Sequence, residues 1–278
     1  MLQKFKVLLP ARFRKDAPVI PMIRLHGAIG IGSPLRPALT MKGVEPLLAR
    51  AFKKGVPAVA LAINSPGGSA VQSALIARRI RALAAEHGIR VFAFCEDVAA
   101  SGGYWLASAA DEIYADPMSI VGSIGVISAS FGFQDAIAKL GIERRIHTAG
   151  ESKSILDPFE PEKPEDVARL KALQEDAHAV FKDHVRERRA GKLQGDEAEL
   201  FSGAFWSGRR ALELGLIDGL GHMDEVLRHR FGKDMKLKAI EPAQGFSLRR
   251  LGIGASGELA DAALQALEVR SLWSRFGL

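Results

Sequence analysis

The fold is constrained most by short apolar runs that alternate with helical segments in the first half of the chain. The runs Val19 to Leu25, Val59 to Ile63 and Arg90 to Phe94 are bounded by glycine, proline, asparagine or serine, as is typical of buried strands. Between the last two, Ser69 to His87 has apolar residues at helical spacing and is followed by Gly88. This alternation implies crossover connections and therefore an α/β fold with a largely parallel sheet.

Later segments continue the pattern and add helices. Three prolines, the last of them Pro164, mark a break before the longest predicted helix. The expected elements are strands at Glu112 to Ala115, Ser123 to Ser128 and Ile142 to His147, a helix from about Asp135 to Leu140, a long amphipathic helix over Pro164 to Arg189, a helix, turn and short strand over 207–221, a helix over Asp224 to Arg230, and an amphipathic tail over 257–278.

The length of 278 residues suits one α/β domain with flanking segments. We expect a basic amphipathic arm over residues 1–17, the α/β domain over 18–245 and a helical tail over 246–278. The single cysteine, Cys95, excludes an intrachain disulfide and is expected to be a buried small hydrophobic residue. No cofactor or metal ion is implied by the sequence.

The net charge of +6 is spread over helices and loops, so we expect no nucleic-acid partner. The N-terminal arm is the exception, because five basic residues precede the first acidic residue and interleave with apolar ones. This pattern leaves two interpretations open, peripheral contact with a membrane and an ordinary packed or flexible arm. The apolar stretch is too short and interrupted for a secretory signal or a membrane span, and we expect a cytoplasmic protein.

Ser101 occupies the position that nucleophilic chemistry needs. It follows the strand that begins at Arg90 and precedes an apolar segment, Tyr104 to Ala109, that is expected to start a helix. A serine nucleophile requires a base for its proton and donors for the oxyanion that forms on attack. Two glycine turns supply such donors, because backbone amides at Gly67 or Gly68 and at Gly102 are free to approach one carbonyl oxygen.

The base is not fixed by spacing alone. Lys153 lies in a loop shortly after a predicted strand, where catalytic groups are common, and it must be neutral to act, which demands a substantially buried site. Among the histidines, His147 ends a predicted strand and stays open as an alternative. Five others lie in or beside predicted helices among charged neighbours and are expected to be solvated surface residues: His87, His178, His184, His222 and His229.

Over about Val19 to Gly221 the chain resembles the signal peptide peptidase A family of serine proteases, whose fold belongs to the ClpP/crotonase group. The resemblance rests on several motifs in one order. They are Asn64-Ser65-Pro66-Gly67-Gly68, Ala100-Ser101-Gly102-Gly103-Tyr104-Trp105, Ala115-Asp116-Pro117, Val121-Gly122-Ser123-Ile124-Gly125-Val126, Gly150-Glu151-Ser152-Lys153-Ser154, and Gly208-Arg209-Arg210-Ala211 with Gly215-Leu216-Ile217-Asp218.

The resemblance implies Ser101 as nucleophile, Lys153 as general base, Ser123 as the serine that orients the lysine, and oxyanion donors around Gly68 and Gly102. It also implies a homo-oligomer that shelters the active sites, and a peptide or unfolded polypeptide as substrate. We therefore expect a serine endopeptidase that cleaves peptides, signal-peptide remnants or unfolded segments through an acyl-enzyme. Two alternatives remain, a crotonase-like acyl-CoA enzyme and an oligomeric scaffold without protease activity.

Overall fold

The computed structural model describes residues 17–32, 38–150, 152–242 and 256–278, with side chains in the last range from residue 265 onward. Within these residues the elements, in chain order, are β1 (Val19–His26), α1 (Met41–Ala51), β2 (Ala58–Ser65), α2 (Ala70–His87), β3 (Arg90–Ala100), α3 (Gly102–Ser108), β4 (Glu112–Ala115), β5 (Ile120–Gly122), α4 (Gln134–Lys139), α5 (Pro164–Arg188), α6 (Glu197–Leu200), β6 (Phe205–Ser207), α7 (Gly208–Glu213), β7 (Gly219–Leu220), α8 (Met223–Phe231), β8 (Lys236–Ala239) and α9 (Ser256–Ser274).

The strands form one sheet, in which β6-β5-β3-β2-β1-β8 are consecutive neighbours and β4 pairs with both β3 and β7. All pairs are parallel except β5 with β6, which confirms the expected α/β fold with a largely parallel sheet. The sheet divides beside β3. The first half of β3 pairs with β4, and its last three residues pair with β5, with Ala100 opposite Gly122.

Both faces of the central strands are buried, which explains their continuous apolar sequence. In β2, Val59, Leu61 and Ile63 belong to the main core with α1, α2 and α3. The intervening alanines, of which Ala60 is central, face a second cluster that contains Leu227 of α8. Helix α2 begins and ends as the sequence predicts, because the Ser69 side chain accepts the N–H of Gln72 and Gly88 adopts the left-handed conformation.

Buried polar contacts fix α3 against later parts of the chain. The Tyr104 hydroxyl donates to the carbonyl of Leu216 at 2.7 Å. Arg189, whose side chain is only 2% exposed, donates to the Gly215 carbonyl and to the Asp218 carboxylate, the latter at 2.6 Å. These bonds join the end of α5 to the loop after α7, and they hold the second half of the chain against the helix that follows Ser101.

Two expected strands are wrong. No strand is present at Ser123 to Ser128, because Gly122 and Ser123 have positive φ values of 112° and 53°, which end the extended backbone. The strand in this region is β5, which lies three residues earlier. Residues 142–147 are also not a strand; most are exposed, and no described strand pairs with them.

Much of the segment between β5 and α6 is not packed against the core of the domain. Helix α4 buries none of its residues. In the predicted amphipathic helix α5, Phe181 and Val185 are buried, whereas Leu173 and Val180 are each 60% exposed. The apolar face of α5 therefore contacts the core mainly near its C-terminal end. Among the described helices, none is both long and apolar enough to cross a membrane.

The domain boundaries expected at 17/18 and 245/246 stay predictions. Residues 1–16 of the basic arm lie outside the described residues, and so do residues 243–255, which include the second boundary. The rest of the tail includes α9, and its end packs on its own domain. There Phe276 is buried in a cluster with Val98 and Ala100 of β3.

Candidate active site

Ser101 lies at the predicted corner between a strand and a helix. Strand β3 ends at Ala100 and α3 begins at Gly102, while Ser101 itself has φ 53° and ψ −121°. Its N–H donates to the carbonyl of Gly122 at 2.8 Å, and its carbonyl accepts the N–H of Trp105 at 3.0 Å. A serine in a strained conformation between a strand and a helix is typical of a nucleophile at such a corner.

The Ser101 hydroxyl makes no hydrogen bond to the described residues and does not cap the helix that follows it. Ser69 and Ser207 also precede helices, and each of their side chains accepts a backbone N–H as a cap. Ser101 makes no such bond, and no described group is hydrogen-bonded to its hydroxyl. It lines a cleft of about 220 Å³ together with Gly68, Gly102 and a set of mainly apolar side chains. The hydroxyl is therefore available for chemistry.

Gly67 provides the space that Ser101 needs. It has φ +101°, and a Cβ added there would lie 2.8 Å from the Ser101 Cβ and 3.0 Å from the Gly102 nitrogen. Its own N–H donates to the Ser65 hydroxyl oxygen at 3.2 Å. This geometry favours a spacing role for Gly67 over the oxyanion contact suggested by the sequence.

Gly68 and Gly102 both present backbone amides at the cleft. No described acceptor is bonded to either N–H; Gly102 is the first residue of α3, where amides lack helical partners. Both positions are closely packed, since a Cβ at Gly68 would lie 2.2 Å from the Ile29 carbonyl oxygen and one at Gly102 would lie 2.4 Å from the Ser73 hydroxyl. Two free amides beside a free hydroxyl have the chemistry of an oxyanion site.

Ser123 occupies the position beside Ser101 on the neighbouring strand. Ala100 and Gly122 are register partners, so each serine is the next residue after a paired strand end. Ser123 is 5% exposed, has the same φ of 53°, and donates its N–H to the Ala204 carbonyl at 2.7 Å. The structure thus brings these two predicted site residues together.

Lys153 is not brought to the two serines in the single chain. It lies in a turn over residues 152–156, its side chain is exposed, and its N–H donates to the carbonyl of Gly150. None of the hydrogen bonds of the described residues joins it to Ser101 or Ser123. His147, the alternative base, is exposed in the same segment. The buried environment that a neutral lysine requires is therefore not formed by this chain alone.

Trp105 is a cleft residue that sequence reasoning missed. Its ring stacks on Phe181 with a centroid separation of 4.6 Å and on His184 at 4.9 Å, and Phe181 of α5 lines the cleft beside it. The Nε2 atom of His184 lies 2.9 Å from the Ser108 hydroxyl. Burial, with a smaller effect from Arg188, lowers the pKa of His184 to about 4. The expectation that His184 is a solvated surface residue is wrong.

Cys95 is buried, as the sequence predicts, and burial raises the pKa of its thiol to about 12. A thiol in that environment is a packing group rather than a nucleophile. In the part of the chain that the structure describes, no group of three or more histidine, cysteine or acidic side chains is arranged to hold a metal ion.

The chain is similar in sequence to proteins named as proteases and to a protein named as an antiporter. The chain is 55% identical to a Na⁺/H⁺ antiporter NhaA of Brucella melitensis, over 98% of this chain and 39% of that protein. It is 31% identical to the chloroplastic serine protease SPPA of Arabidopsis thaliana, over 75% of this chain and 31% of that protein. Protease 4 of Haemophilus influenzae is 35% identical, with shares of 65% and 30%. The chain thus spans less than two fifths of the length of these relatives.

A solved structure of similar fold is the membrane-bound stomatin-specific protease 1510-N, in complex with a substrate peptide. It superposes with a TM-score of 0.52 at 13% identity and covers 91% of this chain and all of that one. The model of peptidase family S49 matches residues 84–237, a range that contains Ser101, Ser123 and Lys153 and more than half of the chain. The chain belongs to peptidase family S49.

Proposed function

We propose that this protein is a serine endopeptidase in which Ser101 is the nucleophile, Lys153 the general base and Ser123 the residue that orients the lysine. The observation that carries the proposal is the free hydroxyl of Ser101, held at a strained corner beside two unused amides. Family membership supports peptide-bond hydrolysis, and the substrate peptide bound to the structural neighbour supports a peptide substrate.

The proposed chemistry proceeds through an acyl-enzyme. The neutral Lys153 amine takes the proton of the Ser101 hydroxyl as its oxygen attacks the scissile carbonyl, and the N–H groups of Gly68 and Gly102 donate to the oxyanion. Collapse expels the amine product, which takes the proton from the Lys153 ammonium. Lys153 then accepts a proton from water as that water attacks the ester, and the proton returns to Ser101 when the acid product leaves.

Lys153 must reach the cleft for this chemistry, and we propose that assembly of several copies brings it there. Its segment starts at the cleft, where Val126 and Ile127 form part of the lining. Large apolar side chains along the segment face solvent in the single chain: Ile127, Phe131, Phe133, Leu140 and Ile142. A contact between copies would cover this surface and desolvate the lysine. We further propose a cytoplasmic location, in which the basic arm either contacts a membrane surface or is an ordinary packed or flexible arm.

Cleavage of a fluorogenic peptide tests the assignment of the nucleophile. Ser101→Ala should abolish cleavage, whereas Ser207→Ala should keep it, because Ser207 stands at a similar strand-to-helix junction but only caps α7. Circular dichroism would establish that both variants are folded. Full cleavage by folded Ser101→Ala protein would contradict the proposal, and acyl-CoA turnover that survives the substitution would favour the crotonase-like alternative.

The base is tested by a parallel pair of lysine variants and by the pH profile. Lys153→Ala should lose activity, while Lys139→Ala, an exposed lysine of the same segment, should not. Activity of the wild type should rise with pH and persist into the alkaline range, since only the neutral amine acts as base. A rate limb near pH about 6.5 that disappears in His147→Ala would identify a histidine base instead.

A further inference from the structure

We infer that Arg275 selects peptides that carry an acidic side chain close to the scissile bond, an inference that rests on the proposed peptidase function. Arg275 directly follows helix α9, more than 170 residues from Ser101 in the sequence. It nevertheless lines the same cleft as Ser101, together with Leu272 of α9. The C-terminal end of the chain thus forms one wall of the space that a substrate would enter.

This wall is attached close to the nucleophile. Phe276, the residue after Arg275, is 8% exposed and packs in a cluster with Val98 and Ala100. Its ring meets that of Phe205 edge to face at a centroid distance of 5.2 Å. Since Ala100 immediately precedes Ser101, the anchoring contact lies one residue from the attacking hydroxyl. Burial of this aromatic ring stabilises the docked position of the residues beside it.

Arg275 is the one charged side chain among the cleft residues that the structure describes. The other lining side chains are apolar apart from the Ser101 hydroxyl and the indole N–H of Trp105. Arg275 is exposed, and no carboxylate of the described residues forms an ion pair with it; its guanidinium lies 5.9 Å from the Phe276 ring centroid. A carboxylate on a bound peptide would meet this cation without competition from the carboxylates of the described residues, whereas a lysine would be repelled.

Matched peptides test the inference. Acetylated and amidated fluorogenic peptides would differ by Glu, Gln or Lys at each of the four positions on either side of the cleavage site. The wild type should cleave the best Glu peptide with a kcat/KM about fivefold above that of its Gln counterpart, the size expected of a partly exposed ion pair. The preference should disappear in Arg275→Gln and turn toward Lys in Arg275→Glu. Added salt should weaken it in the wild type.

Arg270→Glu is the matched control, because Arg270 is exposed on α9 but does not line the cleft. Its charge preference should equal that of the wild type. The inference would be overturned by a Glu preference that persists in Arg275→Glu, or by an equal change of preference in Arg270→Glu.

Binding measurements separate the inference from the proposed function. Fluorescence anisotropy with the Ser101→Ala variant reports peptide affinity without turnover. Tighter binding of the Glu peptide than of the Gln peptide, with the difference lost in Ser101→Ala/Arg275→Gln, would support the inference even if the wild type cleaves no peptide. The lack of cleavage would then reject the peptidase function alone. Equal affinity for Glu and Gln peptides, in a wild type that cleaves both equally, would reject the role of Arg275 and leave the peptidase function standing.

Discussion

Substitution of Gly68 by alanine should destabilise the fold and impair the proposed oxyanion site. The new Cβ would lie 2.2 Å from the Ile29 carbonyl oxygen and 2.9 Å from the Ile29 nitrogen, at a φ of +136° that alanine rarely adopts. Ile29 and this turn are joined by two hydrogen bonds of 2.8 Å, from Ile29 N–H to the Gly67 carbonyl and from Ser69 N–H to the Ile29 carbonyl. The methyl group must displace this pairing.

Backbone strain of about 1–3 kcal/mol and weakening of two hydrogen bonds worth about 1 kcal/mol each give a loss of about 3 kcal/mol in the free energy of unfolding. The same displacement moves the Gly68 N–H away from the oxyanion, and loss of one such donor lowers kcat by about 100-fold or more. Urea denaturation measures the first effect. The kcat/KM for a fluorogenic peptide, measured on folded protein, gives the second.

Gly88→Ala is the matched control, because Gly88 also has a positive φ, +63°, but a Cβ there meets no atom within 4 Å. It should cost about 1 kcal/mol of stability with unchanged kcat/KM. Folded Gly68→Ala protein with a kcat/KM within threefold of the wild type would refute the assignment of this amide to the oxyanion site.

Three further predictions concern other parts of the molecule. Asp218→Asn should lower the free energy of unfolding by about 3 kcal/mol in urea titrations, because it leaves the buried Arg189 guanidinium without its anionic partner; a loss below about 1 kcal/mol would contradict this. Because the pKa of His184 is lowered in the folded state, its contribution to stability is present above pH about 6.5 and is lost as the pH falls toward 4. Between pH 7 and 4 the free energy of unfolding of the wild type should therefore fall by about 2 kcal/mol more than that of His184→Gln. Parallel curves of stability against pH for the two proteins would contradict the burial of a neutral imidazole. If copies complete each other's sites, mixing the inactive Ser101→Ala and Lys153→Ala variants should restore peptide cleavage, whereas a mixture that stays inactive after subunit exchange would place both residues in one chain.

Features set by local sequence could be predicted, and those set by distant packing could not. The corner at Ser101 follows from a strand, a small-residue turn and a helix that are consecutive in the chain, and the caps at Ser69 and Gly88 are equally local. The strand expected after Gly122 is absent because the positive φ values of Gly122 and Ser123 end the extended backbone, which the apolar residues that follow do not reveal. Amphipathic periodicity marked the tail as a packing segment, but it did not specify that Phe276 would dock beside Ser101.

For Lys153, the sequence motif identifies the residue but not the contacts that would bury its side chain. Its motif marked it as a base, yet a sequence motif carries no information about which surface desolvates the side chain. In the single chain its segment leaves apolar residues such as Phe131 and Leu140 exposed, at 79% and 73%. A buried environment for Lys153 therefore depends on contacts that neither the sequence pattern nor the fold of one chain supplies.

Trapping the covalent intermediate would identify the nucleophile directly. The protein would be mixed with an activated ester of a short acetylated peptide, quenched in acid, and analysed by intact mass and by mapping of the modified fragment. We expect an added mass equal to the acyl group, located on Ser101, absent from Ser101→Ala and formed more slowly by Lys153→Ala. An acyl group on another residue, or the same yield from Ser101→Ala, would contradict this assignment.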